Sequence, residues 1–200
     1  MLIIIFSIFS ILLSSDEYQK FIDLMESKNY PSRTAFNLCK KTKWDCTYFK
    51  AKVFESDGNA GSAMDLYLRS GYYDDYIRLR TYSGADIEPI IKQYKIDEKK
   101  AYFYRGLSEY TKGNWQKAIN IFLKDILKDY LQAKLYMAYS YLMLGENDKA
   151  EEIQKNRVSN LSFYDWLEYK KLEGLILYAK NDQFKAKKIF INVLVKKPGD

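Results

Sequence analysis

Ala101-Tyr-Phe-Tyr-Arg-Gly-Leu-Ser-Glu-Tyr-Thr-Lys-Gly-Asn-Trp-Gln-Lys-Ala-Ile-Asn-Ile-Phe122 sets two small residues, Gly106 and Ala118, twelve positions apart, with Gly113 between them. A small residue on each of two helices lets their backbones approach closely. A glycine between them suits the left-handed residue that ends a helix. The same constellation recurs at Ala51/Gly58/Ala63 and at Ala138/Gly145/Ala150. It recurs again at Gly174/Asn181/Ala186, with asparagine, the next best residue for that cap, in place of glycine. Elsewhere apolar residues return at helical intervals, as in Tyr18, Phe21, Ile22 and Met25. Asp57-Gly58 reads as a turn between helices, and no stretch alternates in the manner of a strand. The expectation is an all-α chain of paired helices.

With Tyr102, Gly106, Gly113, Trp115, Ala118 and Phe122 in its best unit, the sequence resembles the tetratricopeptide repeat family. Other units supply Ala51, Phe54, Gly58, Ala63 and Tyr67, then Ala138, Tyr141, Gly145 and Ala150, then Gly174, Ala186, Phe190 and Pro198. The chain departs from the family where Lys50, Arg105 and Glu173 stand for a leucine, and where Gln154 stands for an aromatic. Only one unit carries the closing proline. The anchors Ala118, Ala150 and Ala186 lie 32 and 36 residues apart, bracketing the family period of 34. Ala63 and Ala118 lie 55 apart, which places a shortened hairpin around 74–95. A first hairpin runs from Glu17 to about Lys41, turning at Asn29–Ser32 with Ser32 as the N-cap. The resemblance implies a right-handed α-solenoid of five or six hairpins over residues 16–200.

It also implies that the first helix of each unit lines a concave face. Steps of three and four residues from each anchor then give Asp45, Tyr48, Lys52 and Glu55 in one unit and Lys100, Phe103, Leu107 and Tyr110 in the next. Gln132, Leu135, Tyr139 and Leu142 follow, then Glu168, Lys171, Leu175 and Tyr178. The groove so drawn is mixed in charge at its N-terminal end and apolar at its C-terminal end. There Phe103, Leu107, Tyr110, Leu135, Tyr139, Leu142, Leu175 and Tyr178 would hold an apolar or aromatic peptide segment. The alternative is that the array's own packing covers this face. The Lys, Asn and Arg set with which chaperone-binding members clamp a terminal carboxylate is not present on it.

Composition narrows the function classes. Of 200 residues, 19 are Tyr, two are Cys and none is His. Catalysis and metal sites that need an imidazole are therefore excluded, and two cysteines do not make a four-cysteine site. Asp74-Asp75 and Glu151-Glu152 are adjacent carboxylates, but helix neighbours diverge by about 100° and do not converge on one substrate. No phosphate loop or nucleophile elbow occurs, so a binding protein without cofactor is expected rather than an enzyme. The net charge of +6 sits in short, separated lysine clusters interleaved with Asp and Glu, Lys185-Lys187-Lys188 among them, which disfavours both nucleic acid and an anionic membrane surface.

Residues 1–15 carry no charge and include an apolar run from 2 to 13, the length of a signal-peptide core and too short to span a bilayer. They read as a secretory signal, with an uncleaved membrane anchor or a buried first helix as alternatives. In an oxidising lumen Cys39 and Cys46 can pair; two free thiols are the other reading. Asn160-Leu-Ser162 is a sequon for glycosylation. The expected role is a protein-binding scaffold of the secretory pathway, with a lumenal co-chaperone or an anion-binding helical repeat as rivals. The C-terminal end is expected to lack the polar capping helix that repeat arrays need, leaving an apolar surface to be covered by a partner, by self-association or by sequence of a longer form.

Overall fold

The structure, a computed structural model, describes residues 17–22, 24–25, 31–42, 44–156, 161 and 163–196. The leader, Asn160 and Pro198 lie outside these residues. Among the described residues every regular element is helical. In chain order they are α1 (helical at 17–22 and 24–25), α2 (Ser32–Cys39), α3 (Thr47–Ser56), α4 (Ala60–Arg69), α5 (Tyr73–Tyr82) and α6 (Glu88–Gln93). Then come α7 (Glu98–Thr111), α8 (Trp115–Phe122), α9 (Leu131–Met143), α10 (Asn147–Lys155), α11 (Phe163–Ala179) and α12 (Gln183–Lys196). A single 3-10 turn, Asp125–Leu127, separates α8 from α9.

Each pair of small anchors falls on two consecutive helices: α3 and α4, α7 and α8, α9 and α10, α11 and α12. The helices of each pair pack on one another. At the turns, Gly58, Gly113, Gly145 and Asn181 have φ of 78°, 78°, 79° and 64°. In all four, the next residue's N–H reaches back five positions: Asn59 to Phe54 O, Asn114 to Glu109 O, Glu146 to Tyr141 O and Asp182 to Leu177 O, at 2.8–2.9 Å. That bond satisfies a carbonyl the helix end leaves open, and it fixes the direction in which the second helix departs.

The anchors mark the crossings. Ala51, Ala63, Ala118, Ala138 and Ala150 are wholly buried. Gly106 faces the ring of Phe122, and Gly174 faces that of Phe190. Polar departures from the repeat pattern find each other. Buried Gln154 of α10 donates to Glu173 Oε2 of α11 at 3.3 Å, and Arg105 of α7 forks onto Glu88 of α6 at 2.6 and 2.9 Å. Both bonds tie one helix pair to the element before it.

Between pairs, α4 packs on α5, α8 on α9 and α10 on α11; the first helices also touch in series, α5 with α7, α7 with α9 and α9 with α11. The core follows this row as three clusters. The first two share Tyr76, and the third is built on Leu135, Ala138, Ala150, Tyr169, Leu172 and Ile176. The region expected to hold a shortened hairpin contains α5 and the six-residue α6, whose Ile90 and Ile91 join Ile77 in the middle cluster.

One expected cap is displaced. Pro31, with φ −53° and ψ 138°, holds the N-cap of α2, no side chain bonds that helix start, and Ser32 is the first helical residue. The proline ring already fixes the φ needed to enter the helix, so the hydroxyl is not used. Cys39 at the end of α2 and Cys46 at the cap of α3 are joined in a disulfide with Cα atoms 5.9 Å apart.

Two stability measurements follow from these contacts. An alanine at 106 would put its methyl 2.3 Å from Phe122 Cε1, and Phe122 is itself buried. The gain in helix propensity is about 1 kcal/mol against an overpacking cost of about 3, so urea melts should show Gly106→Ala less stable by about 2 kcal/mol. A second change, Phe122→Leu, should recover part of the loss. Replacing Cys39 and Cys46 by serine opens a loop with sequence separation 7 and should lower stability by about 2 kcal/mol.

Candidate functional site

The first helices of the pairs, together with α5, form the face the sequence marks for binding. At its N-terminal end the charges are matched internally. Arg78 of α5 grips both oxygens of Glu55 on α3 at 2.8 Å each and bonds Asp75 at 3.0 Å. Lys52 reaches Asp75 at 3.3 Å, and the Tyr67 hydroxyl donates to Glu55 at 3.0 Å. Burial alone would push the Glu55 carboxyl up; the hydrogen bonds and charge of Arg78, with Lys52 and Tyr67, outweigh it and hold the group below its ordinary range. Asp74 pairs with Lys100 of α7, and its backbone carbonyl accepts from the Tyr104 hydroxyl at 3.1 Å. Asp45, expected on the same face, precedes α3 and caps its entry through Thr47, and Tyr48 is buried. This end of the face is a set of struts between α3, α5 and α7.

At the other end the expected apolar floor is only partly open. Phe103, Leu107 and Leu135 are core residues and are not available to a ligand. Phe103 is enclosed by Phe122, Tyr130 and Tyr136, at ring distances of 6.2, 5.0 and 6.0 Å. The face drawn from the anchors assumed that only one side of α7 packs. In fact α7 is covered by α5, α8 and α9, so the buried arc is wider than one pairing requires. Tyr110, Tyr139 and Leu142 are half-buried, while Leu175 and Tyr178 of α11 are exposed, Tyr178 by 60%.

A cluster of tyrosines occupies the space over Phe103. The hydroxyls of Tyr82 and Tyr136 lie 2.7 Å apart and share a hydrogen bond. The Tyr136 ring stands edge-on to Tyr110 at 5.3 Å and lies 6.2 Å from Tyr139. The Tyr139 hydroxyl donates to the Glu168 carbonyl of α11 at 3.4 Å. Burial pushes the Tyr110, Tyr136 and Tyr139 hydroxyls up, so all three stay protonated and able to donate at neutral pH.

No family model, curated protein or solved structure matches this chain. The site therefore rests on its own geometry.

Tyr82 and Tyr136 were not reached from the sequence. Tyr82 closes a helix without a small-residue anchor, so no face could be assigned to it. Tyr136 lies between Leu135 and Tyr139 and is not one of the four positions drawn around Ala138, although it is four after Gln132 and three before Tyr139. Two clefts, of about 520 and 370 Å3, are lined by other residues: Glu88, Arg105 and Lys117 among those of the first, Leu123, Met137 and Ile153 among those of the second. None of the eight expected groove residues lines either cleft.

The struts give the fold an acid-sensitive element. The folded Glu55 carboxyl titrates below its unfolded value, so its contribution is complete above the ordinary glutamate pKa of about 4.3 and is lost as pH falls through the lower folded value. Glu55→Gln should cost about 1–3 kcal/mol at pH 7, because Arg78 loses its partner in a half-buried site. The wild-type and variant stabilities, measured by urea melts from pH 7 to pH 3, should converge toward the acid end.

Proposed function

We propose that the chain is a tetratricopeptide-like, right-handed solenoid of five or six hairpins that serves as a protein-binding scaffold in the secretory pathway. Its tyrosine-lined inner face receives a short apolar or aromatic peptide segment. The observation that carries the reading is the gathering of Tyr82, Tyr110, Tyr136 and Tyr139 from three helices, with exposed Leu175 and Tyr178 on the next helix. Tyrosine offers broad contact area at the cost of few rotamers, and its hydroxyls can meet peptide carbonyls. The serial contact of α5, α7, α9 and α11 supports a continuous inner layer for such a segment. The apolar run at residues 2–13 and the Cys39–Cys46 disulfide support a secretory, oxidising setting.

Burial of Phe103, Leu107 and Leu135 removes the broad apolar surface that holding unfolded chains would need. A short, specific segment is therefore favoured over the co-chaperone role. The matched charges of Glu55, Asp75, Arg78 and Lys52 likewise disfavour an anionic ligand on this face.

A peptide array scored for binding of the purified chain tests the reading. Peptides with aromatic or branched apolar residues should be enriched. Leu175→Asp with Tyr178→Asp, both at exposed positions, should weaken capture about tenfold while leaving the melting temperature in place. Capture that ignored this double change and fell steeply with salt would refute the tyrosine-face reading.

A further inference from the structure

Helix α12 carries a second surface, unrelated to the inner face. Ala186 and Val193 are buried and Phe190 meets Gly174, which defines the side turned to α11. At about 100° per residue, Ile191, Phe184 and Val195 point roughly 140–180° away from Ala186, straight outward. They are 50%, 82% and 79% exposed, and Leu194 beside them is 70% exposed. Lys187 and Lys188 fall at about 100° and 200°, one on each flank of this ridge. The helix contains four lysines and no acidic residue. Lys185 pairs with Asp182, whereas Lys187 and Lys188 have no recorded ion pair among the described residues.

The other second helices show that the ridge is not simply a face awaiting one more unit. Two residues before the anchor, where α12 has Phe184, α4, α8 and α10 have Gly61, Gln116 and Asp148, all exposed. Two residues after it, where α12 has Lys188, they have Asp65, Asn120 and Glu152, again exposed. That direction belongs to solvent in every other pair. One past the anchor, α4, α8 and α10 have half-buried Met64, buried Ile119 and half-buried Glu151, where α12 has exposed Lys187. Two ridges face to face would oppose four like charges.

We infer that the outward ridge of α12 is a docking surface for a lipid bilayer containing anionic headgroups. A partner helix is ordinarily received in a groove between two walls, and this ridge stands on a single helix. A bilayer interface accepts such a ridge: Phe184, Ile191 and Val195 enter the headgroup–acyl boundary while the flanking lysines reach back to the phosphates. No helix among the described residues is long and apolar enough to cross a membrane.

Sedimentation of the full chain with vesicles tests this, using phosphatidylcholine alone and phosphatidylcholine with phosphatidylserine. The wild type should partition onto the phosphatidylserine vesicles and much less onto neutral ones. Phe184→Asp with Ile191→Asp, and separately Lys187→Glu with Lys188→Glu, should each lower binding about tenfold with unchanged thermal melts. Residues 1–15 are common to all three proteins, so a difference among them belongs to α12. Equal binding by all three, or equal binding to both vesicle types, overturns the inference. So does loss of a dimer in ultracentrifugation as the only effect of Phe184→Asp, or capture of an acidic amphipathic helical peptide without any vesicle binding.

Discussion

Two helices can lie against each other no closer than the bulkiest pair of side chains between them permits, and here that pair is one ring and one missing side chain. Gly106 leaves the notch into which Phe122 fits, and Gly174 does the same for Phe190. Ala51 and Ala138 serve as the equivalent notches in the other two pairs, opposite the places held by Tyr67 and buried Gln154. A fixed twelve-residue interval carries the chain from the first small residue, through a left-handed turn, to the second. Each turn is closed by the same backward hydrogen bond. Repetition of that local geometry produces a row of pairs, and the row lets α5, α7, α9 and α11 meet as one layer.

Polar contacts then join the pairs. Gln154 and Glu173, taken one at a time, are misfits to an apolar repeat; taken together they are donor and acceptor across two units. Arg105 and Glu88 do the same between α7 and α6. Glu55, Arg78, Asp75, Lys52 and Tyr67 knit α3, α4 and α5 where the inner face would otherwise present open charge. Buried or half-buried polar groups cost free energy unless they are satisfied. Their partners therefore sit at fixed places, and this holds the register of one pair against the next. At the tyrosine-rich end of the face, Tyr82, Leu175 and Tyr178 are the exposed apolar and aromatic side chains.

The second helices put similar chemistry to different uses. In α8 the position one past the anchor is Ile119, buried between units; in α12 it is Lys187, in solvent. Phe184 stands on the outer side of α12, where the other second helices set Gly61, Gln116 and Asp148; at the place of Ile191 they have Leu68, Leu123 and Lys155. The inner tyrosine face and the outer ridge of α12 are thus separate surfaces, and neither uses residues of the other.

Local spacing was legible from residues alone. Small anchors, turn glycines and Asn181 placed the paired helices, because backbone close approach and left-handed φ are satisfied by few residue types. Even the shortened segment at 74–95 was located by an interval too long for one repeat. Exposure was not legible in the same way. Phe103, Leu107 and Leu135 share a helical face with Tyr110, Tyr139 and Leu142, and periodicity treats all six alike. Only the packing of α5, α8 and α9 around α7 closes over the first two and leaves Tyr110 partly open, while the C-terminal cluster takes in Leu135. Sequence period reports which residues lie on one side of a helix; the number of neighbours on that side is a property of the assembled row. For the same reason Lys187 and Phe184 read as ordinary members of a lysine-rich amphipathic stretch until α11 fixed which way α12 faces.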